Sequence, residues 1–165
     1  GLADVFREIA RMRADGEVEE CALGGDTAVL FYAEPTRTYD VDVFVLLPPG
    51  APPLAPLGKV YEWAASRGFA PSAEHVMIHG VPVQFLPAHN RLAEEAIREA
   101  RTLDYEGVSV QVIGPEHLVA LALQAGGTRR RERAWQLLGS GQVNRERVRS
   151  ILADHGIDVI IPADV

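Results

Sequence analysis

Hydrophobic residues recur along the chain with two different periods, and each period predicts one kind of secondary structure. Near the start, Leu2, Val5, Ile9 and Met12 form one apolar stripe at helical spacing, which is typical of an amphipathic helix. Residues 38–46 instead alternate in the manner of a strand with one buried face. With the glycines and prolines that end such elements, these patterns predict helices over 2–13, 27–33, 57–67, 91–101, 115–124, 129–138 and 144–155, and strands over 19–23, 38–46, 74–78, 81–86, 103–105 and 108–113.

The size and composition of the chain indicate one folded unit. Its 165 residues, 47% of them hydrophobic, fit one domain or one core with a small helical appendix. The proline-rich segment 48–56 predicts a stiff surface loop rather than a domain linker. The single cysteine, Cys21, excludes an internal disulfide and is expected in the core. No segment has the pattern of a membrane span or a signal peptide, so we expect a cytoplasmic protein without a membrane partner.

Two carboxylates stand two residues apart in a valine-rich segment, at Asp40 and Asp42. Side chains at positions i and i+2 of a strand point to the same face, so both carboxylates should project to one side and Val41 and Val43 to the other. Two converging acidic oxygens suit a hard cation such as Mg²⁺, which proteins often bind together with substrate phosphates. The alternative is an ordinary solvated strand face.

A pair of glycines, Gly24 and Gly25, precedes the two aspartates after a short amphipathic stretch. Because glycine has no side chain, such a turn lets the backbone approach a triphosphate closely. By itself, a Gly-Gly pair is more often a simple turn, so a phosphate-binding role depends on the residues that come after it in the chain.

Taken in order, Gly24-Gly25 and the run Thr38-Tyr39-Asp40-Val41-Asp42 resemble the nucleotidyltransferase superfamily that includes polymerase β. The resemblance is closest to the small "minimal" bacterial branch and to abortive-infection toxin-like nucleotidyltransferases. The segments 78–87 and 116–124 resemble the hairpin and the C-terminal helical part of such proteins. The similarity therefore covers nearly the whole chain.

The resemblance implies an α/β (α+β) fold in which a mixed sheet is flanked by helices. It also implies an α/β core over residues 1–113 and a C-terminal helical part over 114–165, packed together as a single compact unit. The implied activity is the transfer of a nucleotidyl group from a nucleoside triphosphate (NTP) to an RNA end, a protein hydroxyl or a small molecule.

The resemblance also assigns roles to individual residues. Asp40 and Asp42 would be the catalytic ligands of Mg²⁺ or Mn²⁺. Gly24 and Gly25 would present backbone N–H groups to the β- and γ-phosphates, next to the positive end of the following helix.

Three neighbouring residues are weaker candidates for phosphate binding. The Thr27 hydroxyl would contact a phosphate oxygen or satisfy a free backbone N–H of the helix. Arg37 and Thr38 flank the metal site, and Arg37 would either grip a phosphate or lie exposed in a loop. Asp26 would repel a triphosphate at close range, so we expect it to cap the helix instead.

The strongest departure from the family pattern is Gln84, which stands where the family places a third carboxylate on the strand after the hairpin. Glutamine does not accept a proton near neutral pH. His89 would replace the missing acid or be an ordinary loop histidine. This departure leaves three hypotheses open: an active nucleotidyltransferase, a catalytically impaired descendant that binds nucleotide, RNA or a toxin–antitoxin partner protein, and an unrelated α+β interaction domain.

Charge limits the nucleic-acid partners of this protein. The net charge of −7 does not attract a polyanion to the surface as a whole, and DNA is not an expected partner. A local basic run, comprising Arg129, Arg130, Arg131 and Arg133, would meet a triphosphate or an RNA backbone if it faces the cleft. The five histidines are scattered in sequence without ligand spacing, so we expect no zinc site.

Overall fold

A computed structural model describes residues 1–33 and 40–165. These residues form seven helices and seven strands. The helices are α1 (Leu2–Ala14), α2 (Gly25–Val29), α3 (Gly58–Ser66), α4 (Arg91–Arg98), α5 (Pro115–Ala125), α6 (Thr128–Gly139) and α7 (Arg145–Asp154). The strands are β1 (Glu20–Gly24), β2 (Val41–Leu46), β3 (Pro71–Ser72), β4 (His75–Ile78), β5 (Val81–Pro87), β6 (Arg101–Tyr105) and β7 (Val108–Val112).

All seven strands form one mixed sheet in the order β3-β4-β5-β2-β1-β7-β6. Strand β2 lies near the centre, antiparallel to β1 and parallel to β5. On the other side of β1, β7 runs parallel to it. The predicted α/β class, with a mixed sheet flanked by helices, is therefore confirmed.

The amphipathic stripe of α1 packs into the core as its spacing predicts. Val5 and Met12 are fully buried, and Phe6 and Ile9 nearly so. Glu8 is buried with them, and it accepts two hydrogen bonds from the Arg67 guanidinium, at 2.6 and 3.0 Å. This bidentate pair ties α1 to the end of α3.

Several helices and strands begin or end at other residues than predicted, because strand pairing and the hydrogen bonds of turns decide where an element ends. Helix α2 starts at Gly25 and is followed by i→i+3 turns through Tyr32. Helix α4 ends at Arg98, and Arg101 already pairs with Val112, so β6 is longer than predicted. Strand β3 was not predicted, and the first residues of the predicted strand over 38–46 lie outside the described part of the chain.

After β7 the described chain forms the last three helices, and α5 packs against α4, α6 and α7. Pro115 starts α5 at its first turn, as predicted. No helix among the described residues has the length and apolarity needed to cross a membrane.

Candidate functional site

The two aspartates lie on one face at the beginning of β2. Val41 and Val43 point into the core and are 1% and 0% exposed. Asp42, on the opposite face, is half-buried, and Asp40 immediately precedes the strand and is exposed. The i, i+2 spacing thus places both carboxylates on the side of the sheet away from the valine core.

The glycine pair lies directly beside Asp42. In the antiparallel register of β1 and β2, Gly24 is paired with Asp42. Gly25 follows as the first residue of α2 with φ of +58°, and a Cβ atom there would overlap Asp42 Oδ2. A Cβ on Gly24 would overlap the ring of Phe44. Both positions therefore require glycine for space, and Gly25 also requires it for backbone conformation.

The Asp42 carboxyl group has a raised pKa, first because burial penalises its charge and second because Asp40 is negatively charged nearby. Asp26 adds to this effect, whereas Arg133 and His75 oppose it. Two mutually repelling carboxylates, one of them partly desolvated, are stabilised by a cation between them. This donor set of hard oxygens fits Mg²⁺ or Mn²⁺.

Strand β5 brings Gln84 to the site. In the parallel register of β2 and β5, Gln84 is paired with Asp42, so the two side chains share the face of the sheet that carries the aspartates. The amide therefore stands beside the metal-ligand candidates, where the family pattern places a third carboxylate.

His75, at the start of β4, also reaches the site, although no sequence pattern singled it out. Its Nε2 atom lies 3.2 Å from Asp40 Oδ2. Continuing the register of the β4–β5 hairpin by one residue places His75 beside Gln84. Counting back from the predicted turn at 79–80 would have found this pairing, although the contact with Asp40 depends on the sheet order.

Comparisons with known proteins bear on the fold. No family model and no curated protein matches the chain, but solved structures do. An antigenic nucleotidyltransferase-like protein from Paracoccidioides brasiliensis superposes with a TM-score of 0.58 at 15% identity, over 93% of this chain and 86% of that one. The antibiotic-resistance factor ANT(2'')-Ia gives a TM-score of 0.55 at 15% identity in its solution structure, over 94% of this chain and 91% of that one. Its crystal structure in complex with adenylyl-2''-tobramycin gives 0.55 at 17% identity, over 93% and 95%.

The chain has the nucleotidyltransferase fold. Identities this low establish the fold alone, so the recognition drawn from the glycine pair and the aspartates is confirmed at that level. In this nucleotidyltransferase fold, three adjacent strands at the sheet centre supply Gly24, Asp42 and Gln84, and Gly25 follows at the start of α2.

Thr27 has a structural role within the nucleotidyltransferase fold. It is 1% exposed, and its hydroxyl donates a hydrogen bond to the Asp40 carbonyl at 3.1 Å. This bond fixes the start of β2 against α2, and the contact of Thr27 with a phosphate stays a prediction. The remaining candidates in this segment, Arg37 and Thr38, lie outside the described residues.

Asp26 does not cap α2, so that expectation was wrong. The N-cap is Gly24, without a side-chain cap, and Asp26 instead pairs with two arginines of α6. Arg133 Nε lies 2.8 Å from Asp26 Oδ1, and Arg129 Nη2 lies 3.1 Å from Oδ2. These pairs offset the negative charge that Asp26 would present beside the glycine turn.

The basic run of α6 is therefore divided between two environments. Arg133, which is largely buried, and Arg129, which is exposed, both pair with Asp26 beside Gly25, whereas the exposed Arg130 contacts the Gly126 carbonyl of its own helix start at 3.5 Å. The structure thus places Arg129 next to the glycine turn through Asp26, whereas Arg130 has no such contact among the described residues.

His89 is not brought to the site. It follows β5, whose last residue, Pro87, pairs with Val45 at the end of β2 opposite to Asp42. His89 is exposed and lies 3.4 Å from the Asn90 side chain, beside the start of α4. The suggestion that His89 replaces the missing acid is wrong, because β5 carries it away from Gln84.

Proposed function

We propose that this protein binds an NTP with Mg²⁺ or Mn²⁺ and transfers the nucleotidyl group to a hydroxyl acceptor. The observation that carries this proposal is the contact between Asp42 and Gly25. It joins the metal-ligand candidates and the glycine turn into one surface, as an NTP–metal complex requires.

In the proposed reaction, the acceptor oxygen forms a bond to the α-phosphorus, and the bond from that phosphorus to the oxygen bridging to the β-phosphorus breaks. Pyrophosphate leaves with the electron pair of the broken bond. A divalent cation, when bound, supplies positive charge that offsets the charge developing on the phosphate oxygens. Asp40 and Asp42 hold the cation, and His75 orients the Asp40 carboxylate.

The remaining residues bind and position the substrate. The backbone at Gly24 and Gly25 accommodates the phosphates, since no side chain blocks their approach. Arg129 and Arg133 keep Asp26 neutralised, so that it does not repel the triphosphate. Gln84 does not take the proton of the acceptor hydroxyl, which therefore passes to solvent.

A small-molecule hydroxyl is the acceptor we favour. The structural neighbour ANT(2'')-Ia was crystallised with adenylyl-2''-tobramycin, an adenylylated small molecule, and the two chains cover each other almost completely. An RNA end or a protein hydroxyl is the other acceptor class, and transfer of label from NTP to each kind of acceptor separates the two.

A second candidate function is nucleotide binding without transfer, for instance as a toxin–antitoxin partner or an RNA-binding protein. Gln84 favours it, because an amide beside Asp42 supplies neither a general base nor a strong metal ligand. In that case NTP would bind with the metal but release no pyrophosphate.

The test is incubation of the protein with each α-³²P-labelled NTP, Mg²⁺ or Mn²⁺, and in turn a panel of hydroxyl-rich small molecules, total RNA or no acceptor. Label on a small molecule supports the favoured acceptor, and label on RNA or on the protein itself supports the other class. Stabilisation by NTP and metal without label supports the binding-only function.

A matched pair of variants decides whether the site is responsible. Asp42→Asn should abolish both label transfer and metal-dependent stabilisation, whereas Asp158→Asn, an exposed aspartate near the end of the chain, should change neither. Absence of any NTP binding by the unmodified protein would reject both functions.

A further inference from the structure

A second group of charged and titratable side chains lies away from the aspartates, where α4, α5 and α7 meet. Helix α4 contributes Glu95, and Glu99 follows at its C-cap. His117 comes from the first turns of α5, and His155 is the C-cap residue of α7. The fold thus brings together residues that are up to 60 positions apart in the chain.

Both imidazoles point at the same carboxylate. His117 Nε2 lies 2.8 Å from Glu95 Oε2, and His155 Nε2 lies 3.3 Å from that same oxygen. Glu99 adds its Oε2 atom, 3.8 Å from His117 Nε2. The ligand atoms of Glu95, Glu99 and His117 all lie within 4.8 Å of one another, and His155 is placed beside this group of three by its contact with Glu95.

His155 is the observation that separates this cluster from an ordinary ion-pair network. Its side chain is only 4% exposed, and His117 is 3% exposed. Despite its distance to Glu95, His155 Nε2 has no hydrogen-bond partner of acceptable geometry among the described residues. A buried polar atom without a hydrogen bond destabilises the folded protein, so we expect a ligand or partner at this position.

We propose that Glu95, Glu99, His117 and His155 form a binding site for Zn²⁺ or a chemically similar transition-metal ion. Imidazole nitrogens and carboxylate oxygens are ligands that Zn²⁺ accepts, and two imidazoles disfavour Mg²⁺ and Ca²⁺. Ligand atoms around a tetrahedral Zn²⁺, each about 2.0–2.2 Å from the metal, lie roughly 3.3–3.6 Å from one another. Three of the six separations among these four ligand atoms, at 2.8, 3.3 and 3.8 Å, lie close to that spacing.

The charges around the cluster suit a dication. Metal ligands must be deprotonated, so around a bound ion the two carboxylates and two neutral imidazoles would balance a charge of +2. Arg147 contacts the other oxygen of Glu99, Oε1, at 3.0 Å and leaves Oε2 directed at His117. Such an outer contact orients a metal-bound carboxylate.

The position of the cluster indicates what the metal does. It would join α7 to α4 and α5, at a junction where Arg91 already donates a hydrogen bond to the Asp154 carbonyl at 2.7 Å. A bound ion would hold the last described helix against the core of the fold. It would act independently of the NTP site, which lies on β1 and β2.

The experiment measures Zn²⁺ binding to the full chain in the Asp40→Asn/Asp42→Asn background, so that the proposed NTP–metal site does not contribute. We expect one bound Zn²⁺ per chain after dialysis and a raised melting temperature. Co²⁺, used as a spectroscopic probe in place of Zn²⁺, should give the visible absorption of a four-coordinate site.

Three variants locate the site. His155→Gln and Glu99→Gln should weaken Zn²⁺ binding about tenfold or more, whereas His89→Gln, the exposed control, should leave it unchanged. Glu99 is half-exposed, so its isosteric variant should fold even if the buried histidine does not tolerate substitution. A protein that binds no stoichiometric Zn²⁺, or in which both ligand variants bind it as tightly as the control, would overturn the proposal and leave a hydrogen-bonded His–Glu network.

Discussion

The carboxylate of Asp42 occupies the space that a side chain on Gly25 would fill. The two residues lie 17 positions apart in sequence and meet because β1 and β2 pair in the register that places Gly24 opposite Asp42. The conformation of the glycine turn and the position of one candidate metal ligand are therefore parts of a single arrangement.

A side chain at Gly25 should therefore damage the protein more than one at Gly126. Both glycines have positive φ, +58° and +75°, and Gly126 with ψ of −176° lies in a region that is essentially restricted to glycine, so alanine is strained by about 1–3 kcal/mol at either position. A Cβ at Gly126 meets open space, whereas one at Gly25 meets Asp42. We expect Gly25→Ala to lower the melting temperature further than Gly126→Ala and to abolish NTP binding. Thermal melting with and without NTP–Mg²⁺ measures both effects, and equal behaviour of the two variants would contradict the proposed phosphate turn.

Removing the charge of Asp42 should have opposite effects on binding and on stability. Its pKa is raised by burial and by Asp40, so ionisation destabilises the folded state without a cation. We expect Asp42→Asn to melt at the same or a higher temperature than the unmodified protein in EDTA, while Mg²⁺-dependent NTP affinity falls at least about tenfold, or roughly 1.4 kcal/mol. Isothermal titration and melting curves give the two values. Unchanged NTP affinity would remove Asp42 from the metal site.

The salt bridges of Asp26 predict different roles for two arginines of α6. Arg133 is largely buried against Asp26, so Arg133→Ala should cost about 1–3 kcal/mol of unfolding free energy by leaving that carboxylate without its closest partner. Arg130 is exposed, and Arg130→Ala should change stability little. Urea unfolding compares them. A double-mutant cycle with Asp26→Asn is the control. If Asp26→Asn does not reduce the loss of unfolding free energy caused by Arg133→Ala, the salt bridge with Asp26 is not the cause of that loss.

We expect any affinity for RNA to depend on the exposed arginines at the start of α6, Arg129 and Arg130. Changing Arg129 and Arg130 together to alanine should lower single-stranded RNA affinity and flatten its salt dependence, by about 0.7 in the slope of log K against log salt for each lost phosphate contact. Filter binding at several salt concentrations measures the slope. An unaltered slope would indicate that these two arginines do not contact RNA phosphates.

The pairing of Glu8 with Arg67 predicts a loss of stability in acid. Hydrogen bonding by Arg67 lowers the pKa of Glu8 more than burial raises it, and His79 acts in the same direction. The pKa of Glu8 is lower in the folded state than in the unfolded state, where it is about 4.5. The pair therefore stabilises the protein fully when the pH is above the unfolded-state pKa, and this stabilisation disappears as the pH falls through the folded-state pKa. Glu8→Gln should therefore destabilise the protein at pH 7 and have a smaller effect near pH 3. Urea unfolding at both pH values tests this, and an equal effect at the two would contradict it.

Local patterns determined much of the fold in advance. The apolar stripe of α1, the shared face of Asp40 and Asp42, and the turn at Gly24-Gly25 all follow from residues within a few positions of one another. Such patterns are visible in sequence because helical and strand periodicity are local properties. They were sufficient, with the family resemblance, to indicate the nucleotidyltransferase fold.

Only the tertiary structure decided which distant residues meet. The sheet order placed His75 on Asp40 and carried His89 to the opposite end, and α6 turned Asp26 from an expected helix cap into a partner of Arg133. The histidines that are scattered in sequence include two, at 117 and 155, that converge on Glu95. The physical reason is that strand order and helix packing are set by burial over the whole chain, so contacts between distant elements leave no periodic signal in the sequence.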